Sequence, residues 1–284
     1  MDPRRAAAKT AHVSSTPHDH DRRDAPAGTT APDDPLGDDR ADPAGSGTEA
    51  VAQATRLRAL RPSGASPRFD DEEPTTVVLV RHGQTTMTVS RGYSGSSEPG
   101  PPLDERGRAQ AAAAATLVER IGRDLWGDIP YPSDVVASPM VRTQETAAVV
   151  AAALGLQVRT DPAFQEADFG QWQGLTAEQI EARWPGQLEP WHTDGRVRPP
   201  GGESIEDVGV RLARGLDSLR GTGGRTVVVV SHAVAIRAAL GVTMGAAPGT
   251  WSQLRVAPAS VSIVRLFSDR RDEIAVAGAP SEGW

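Results

Sequence analysis

Cysteine is absent from the 284 residues, which removes both a disulfide framework and thiolate metal ligation. The redox compartment is therefore unconstrained, and the cytoplasm is the default expectation. Lysine is reduced to Lys9, so the basic charge is almost wholly arginine, a pattern of codon bias more than of a binding device. The net charge of −7 argues against a nucleic-acid partner, because binding a phosphate backbone calls for a basic surface. No apolar run approaches the ~18 residues of a membrane helix. The charged N-terminus (Arg4, Arg5, Lys9) is followed by no apolar signal-peptide core, so no membrane partner is expected. Large apolar residues are scarce before about Thr75. That segment is rich in Ala, Asp, Arg, Pro, Gly and Ser and cannot bury enough surface to offset its ordering entropy. Residues 1–75 are expected to form a disordered tail. Its His12, His18 and His20 stand among aspartates without the spacing of a structural metal site.

From Thr76 to Trp284 apolar residues recur regularly, over a length that supports one domain with a sizeable core. Two segments there read alike: Val77-Val78-Leu79-Val80-Arg81-His82-Gly83 and Val227-Val228-Val229-Val230-Ser231-His232-Ala233. Each is a β-branched run too short for a helix, and continuous apolar runs suit parallel strands buried on both faces. Ligands of open α/β sheets bind beyond the carboxyl ends of such strands. Both histidines are therefore expected at the functional edge, facing each other across one pocket.

Around them, helices are expected from about Asp104 to Ile121, Pro139 to Leu154, Thr176 to Trp184, Glu203 to Leu219 and 233–244. Short strands are expected at 134–137 and 157–160, with edge strands at 260–267 and 273–277. Residues 81–102 read as a long loop over the pocket. Strands alternating with helices predict an α/β fold, a mostly parallel central sheet between helical layers.

Three further segments carry chemistry. In Arg81-His82-Gly83-Gln84-Thr85, a neutral imidazole can attack phosphorus while guanidiniums grip a phosphate dianion bidentately. Cationic neighbours disfavour the imidazolium and keep the lone pair available. Ser138-Pro139-Met140-Val141-Arg142-Thr143 opens a helix, so Arg142 can reach the same anion as Arg81. In Phe164-Gln165-Glu166-Ala167-Asp168-Phe169-Gly170-Gln171-Trp172-Gln173-Gly174, Glu166 and Asp168 compete for a general-acid role, and the sequence does not choose between them. Arg91, Tyr93, Trp172, Trp184, Trp191 and His192 either line the pocket or pack between helices.

With these pieces in order, joined by Pro200-Gly201-Gly202-Glu203-Ser204 and Ser231-His232, the chain resembles the histidine phosphatase superfamily over about residues 76–268. The resemblance implies a three-layer α/β/α sandwich of the phosphoglycerate mutase-like kind, with 76–284 as the phosphatase domain. It implies a phosphomonoesterase that works without cofactor or metal on a small phosphorylated metabolite. His82 would be the nucleophile that becomes phosphohistidine, and Glu166 the general acid and then base. Arg81, Arg142 and His232 would bind the phosphoryl oxygens, with Gln84 and Thr85 as further substrate contacts. Tyr93-Ser94-Gly95 and Leu103-x-Glu105-x-Gly107-x-x-Gln110 are similar to the acid phosphatase branch, which includes α-ribazole phosphatase and the phosphatase half of RNase H/acid phosphatase fusions. The first 75 residues are too short and too poor in apolar residues for an RNase H domain. Thr88 stands where the glycolytic mutases carry Asn, and only about 25 residues join Gly174 to Pro200, where those mutases carry a longer insertion. Both departures favour a phosphatase. The alternatives are a mutase-type phosphotransferase and a non-catalytic module that binds phosphorylated ligands. A homodimer stays open as an assembly.

Overall fold

In the computed structural model, which describes residues 73–221 and 224–282, the two valine runs are neighbouring parallel strands. Strand β1 (Thr75–Arg81) pairs with β4 (Arg225–Ser231) in a register that sets Val80 opposite Val230 and Arg81 opposite Ser231. The echo in the sequence is thus an alignment in space, and each strand delivers its histidine at the same level. His82 N donates to Ser231 O at 3.0 Å and closes the pair just before the two imidazoles.

The sheet is completed by β2 (Pro132–Ala137), β3 (Val158–Thr160), β5 (Val261–Leu266) and β6 (Glu273–Ala279), in the order β3-β2-β4-β1-β5-β6. The first four strands are parallel, while β5 and β6 run antiparallel. Alternate residues of each valine run serve opposite layers, because successive strand side chains point to opposite faces. Val77, Leu79, Val227 and Val229 join one core, and Val78, Val80, Val228 and Val230 the other.

Helices α1 (Thr86–Ser90), α2 (Glu105–Arg120) and α3 (Val141–Leu154) come first in the chain. They are followed by α4 (Ala177–Arg183), α5 (Leu188–Thr193), α6 (Ile205–Leu219) and α7 (Ala233–Met244). Ala114, Leu117 and Val118 of α2 and Ala147 and Val150 of α3 cover one face, whereas Val208 and Leu212 of α6 and Ile236 and Leu240 of α7 cover the other. The architecture is the expected three-layer α/β/α sandwich. Local signals start the long helices: Asp104 caps α2 through Gly107 N at 2.7 Å, and Ser204 with Asp207 forms a capping box on α6.

Three expectations change. The 81–102 segment is not all loop, because Thr85 and Thr88 form a reciprocal capping box that starts α1. A further short helix, α5, is held by fully buried Trp191, whose indole N–H donates to Glu203 O at 3.2 Å. The strand at 261–266 is not an edge, since it lies between β1 and β6. Residues 1–72, with the expected disordered tail and its histidines, lie outside the described residues. Among the described residues, no helix is long and apolar enough to cross a membrane.

Candidate active site

Beyond the carboxyl ends of β1 and β4 lies a cavity of about 250 Å³. His82 lies on its wall, and the ring centroids of His82 and His232 are 5.2 Å apart with planes at 63°. Glycine after His82 is required by packing: a Cβ at Gly83 would lie 2.3 Å from Gly107 O, at the start of α2.

The partners of His82 assign its tautomer. Nδ1 lies 2.7 Å from Gly83 O, and a carbonyl only accepts, so Nδ1 carries the proton. Arg142 Nε donates to Nε2 at 3.3 Å, and Nε only donates, so Nε2 holds the lone pair. Burial pushes the His82 pKa well below the usual imidazole value, and the positive charges of Arg142 and Arg81 push it the same way. His82 is therefore neutral at pH 7, with Nε2 free of a proton.

Arg142 enters from the first turn of α3 and is almost wholly buried. Its Nη2 donates to Ser94 O at 2.9 Å and to Gly95 O at 3.4 Å. It needs the glycine at 100, which has φ +76°, because a Cβ there would meet Nη1 at 2.3 Å. Arg81 donates from Nη1 to Val256 O at 2.7 Å, and burial brings its pKa down to about 10 against the opposing pull of Glu166. Arg81 Nε, Arg142 Nη1, Ser94 Oγ and His232 Nδ1 are buried without a hydrogen-bond partner among the described residues. The first three belong to cavity-lining side chains. Unpaired buried donors are costly, and an anion in the cavity is the natural acceptor for them.

The structure separates the two competing carboxylates. Glu166 lines the cavity, and its Oε1 accepts from Ala167 N at 3.0 Å and Ala235 N at 3.1 Å, with Oε2 on Val234 N at 3.3 Å. Two of these donors are free N–H groups of the first turn of α7, so the helix end fixes the carboxyl beside the cavity. Asp168 instead bonds Gly170 N at 2.8 Å and caps its own turn. The loop carrying Glu166 is clamped by Arg211, which donates to Ala163 O, Gln165 O and Glu166 O at 2.9–3.2 Å and pairs with Glu203 at 2.8 Å.

Thr85 lines the cavity as expected, but Gln84 does not: its Nε2 donates to Asp104 Oδ2 at 3.0 Å, anchoring the start of α2. His232 is fully buried and stands behind the wall, beside His82, with Nε2 2.7 Å from Ser138 Oγ. Burial, then Arg142, lowers its pKa well below the usual value as well. Arg91, Tyr93, Trp191 and His192 line the cavity, whereas Trp172 is core and Trp184 packs beside it. Arg237 and Arg211 were not singled out from sequence, and Ser94 and Phe169 stood there only within longer motifs. Only Arg237 carried a usable signal, standing four residues past Ala233 on the same helix face. Among the described residues, no group of three or more His, Cys, Asp or Glu side chains is placed to hold a metal ion.

Known proteins resemble this chain in sequence and fold. A sequence profile of the histidine phosphatase superfamily (branch 1) matches residues 77–276. A bifunctional protein of Mycobacterium tuberculosis is 37% identical over 239 residues, covering 83% of this chain and 63% of that protein. The chain thus spans less than two thirds of the length of that relative. A 2,3-bisphosphoglycerate-dependent phosphoglycerate mutase of Methylobacterium radiotolerans is 32% identical over 201 residues, covering 68% of this chain and 90% of the mutase. The solved structure of a mycobacterial glucosyl-3-phosphoglycerate phosphatase in complex with VO3 superposes with a TM-score of 0.62 at 31% identity, covering 72% of this chain and 99% of its own.

Proposed function

This chain belongs to the histidine phosphatase superfamily, and from that premise we propose that it is a metal-independent phosphomonoesterase acting through phosphohistidine on a small phosphorylated substrate. One observation carries the reading: His82 Nε2 holds a lone pair at the wall of a cavity that two guanidiniums line with buried, unpartnered N–H groups. A nucleophile and an anion cradle therefore share one site without any charge brought from outside.

In the first step His82 Nε2 attacks phosphorus, and the bond from phosphorus to the ester oxygen breaks. Glu166 gives its proton to the departing oxygen, which leaves as an alcohol. Arg81 and Arg142 hold the equatorial oxygens. His232, with Ser138 donating to its Nε2, stands beside His82 and supports the position of the nucleophile. The imidazole gains one positive charge as it is phosphorylated, and the adjacent Gly83 carbonyl, accepting from Nδ1–H, stabilises that charge. In the second step Glu166 takes a proton from water, the water oxygen attacks phosphorus, and the P–N bond breaks. Inorganic phosphate departs and neutral His82 returns.

Return of the phosphoryl group to a second hydroxyl, the mutase alternative, draws on the mutase among the relatives. Hydrolysis is favoured because Thr88, in place of the Asn of the glycolytic mutases, turns its hydroxyl to the Thr85 capping box. Hydrolysis of p-nitrophenyl phosphate in EDTA, by wild type and His82→Ala side by side, tests the assignment. Turnover that resists EDTA and disappears in the variant is the expected result. Activity of His82→Ala within tenfold of wild type would sink it, and isomerisation of 3-phosphoglycerate without phosphate release would move the chain to the mutases.

A further inference from the structure

The carboxyl of Glu166 is held by main chain: Ala167 N, Val234 N and Ala235 N donate to it. His232, the N-cap of α7, makes no side-chain cap bond, so Glu166 serves the free N–H groups of that helix. Among the described residues Glu166 enters no ion pair, and lone pairs stay open to carry and deliver a proton.

Three cavity-lining guanidiniums surround this carboxyl, one from β1, one from α3 and one from α7: Arg81, Arg142 and Arg237. Burial lowers the pKa of each, and in each Glu166 is the strongest influence pulling it back up. Arg237 stands one turn along α7 from Val234, whose N–H reaches Glu166 Oε2. Its Nε donates to Leu254 O at 2.7 Å, and Arg81 Nη1 donates to Val256 O at 2.7 Å. One short backbone segment thus seats both cations. The remaining titratable neighbours are already committed. Arg211 of α6 bonds the Glu166 carbonyl and pairs with Glu203, and Asp168 bonds Gly170 N. His82 and His192 are kept neutral, chiefly by burial, and burial also keeps the Tyr93 hydroxyl protonated.

Charge balance separates the three guanidiniums by role. A phosphomonoester dianion matches Arg81 and Arg142. When Glu166 protonates the ester oxygen, the electrons of its O–H bond stay on the carboxylate, and a third negative charge appears in the cavity. Arg237 holds the third positive charge. Arg91 lies on the exposed rim, where its charge acts on Glu178 outside the cavity.

Building on the phosphatase reading, we infer that Arg237 is a positioning residue for proton transfer, acting through Glu166 as the countercharge of its carboxylate. It favours release of the proton to the leaving group without occupying the oxygen that carries it. A direct ion pair would cover that oxygen.

The test reads the pH profile of proton donation in the full chain. Values of kcat/KM are measured from pH 4.5 to 9 with phenyl phosphate, whose leaving oxygen needs the proton, and with p-nitrophenyl phosphate, whose leaving oxygen does not. With phenyl phosphate, activity is expected to fall as pH rises and Glu166 loses its proton, and Glu166→Gln should abolish that limb. Ionisation of the ester itself is common to all variants. Arg237→Gln should move the limb to higher pH by about 0.5 unit or more, while Arg237→Lys, which keeps the charge, should hold it within about 0.2 unit. The p-nitrophenyl phosphate profile should keep its shape in both. Arg237→Met replaces a glutamine variant that fails to fold. A limb that stays in place in the neutral variant, moves as far in the lysine variant, or survives Glu166→Gln overturns the assignment. Equal losses on both esters with unchanged profiles would mark a merely structural arginine and overturn it too, as would wild-type turnover of p-nitrophenyl phosphate alone. No wild-type turnover of either ester strikes the phosphatase reading and this inference with it, whereas turnover with an unmoved limb strikes Arg237 alone.

Discussion

Acid should unfold this domain through its two central imidazoles before its carboxylates titrate. His82 and His232 are held neutral in the fold, chiefly by burial and then by the nearby arginines, with pKa values well below 6.5. In the unfolded chain both titrate near the ordinary value. Below about pH 6.5 the unfolded state therefore binds more protons than the folded one, and stability falls as pH falls. Above that value the stability is fully present. Between pH 7 and 5.5 each group that stays neutral in the fold contributes a loss of about 1 kcal/mol, or about 2–3 kcal/mol for the pair. His192, lowered by burial and Arg237, adds to the same trend. Asp207, held near 2 by Arg198, adds its own loss only at lower pH. Urea unfolding at pH 7.0, 6.25 and 5.5 measures the slope for wild type and for His82→Gln/His232→Gln. The double variant should lose about 2–3 kcal/mol of the pH dependence, retaining the His192 part. A wild-type change below about 0.5 kcal/mol, or a slope the double variant leaves intact, refutes the claim that both rings are neutral in the fold.

The site geometry makes three other predictions. Glu166→Gln should slow an alkyl phosphate about 100-fold or more and p-nitrophenyl phosphate less than tenfold, because nitrophenolate leaves without a proton; equal losses on the two esters would remove Glu166 as the acid. Gly100→Ala should lose about 1–2 kcal/mol from the left-handed backbone and displace Arg142, lowering kcat/KM for p-nitrophenyl phosphate at least tenfold. A Gly100→Ala variant with wild-type KM would show that Arg142 does not hold the ester. Ser138→Ala, which leaves His232 Nε2 without its partner, should cost about 1–2 kcal/mol in urea unfolding and lower kcat with little change in KM. An unchanged kcat would detach His232 from the chemistry.

The parts of this fold legible in sequence are those set by short-range pattern. The valine runs of β1 and β4 read as buried parallel strands because both of their faces are covered, and their register sets the two terminal histidines side by side, with His82 at the cavity. Asp104 and Thr176 marked helix starts because their side chains bond backbone a turn away. What stayed hidden depends on contacts distant in the chain. The inner place of β5 is decided by pairing with β1, more than 180 residues earlier. Gln84 and Thr85 are adjacent in sequence, yet Asp104 draws the first away while the second faces the cavity. Glu166 and Asp168 became distinct only when the free N–H groups of α7 met one of them. His232 was expected among the substrate contacts, and its full burial behind His82 follows from the packing of Ser138 against it.

The covalent role of His82 is the centre of this account, and a rapid-quench experiment reads it directly. Wild-type protein is mixed with p-nitrophenyl phosphate, quenched in alkali within milliseconds to preserve any P–N bond, digested, and analysed by mass spectrometry. One phosphoryl group on the peptide containing His82, stable in alkali and lost in acid, is the predicted result. Turnover with that peptide unmodified at every quench time, or phosphorylation at another side chain, would contradict it.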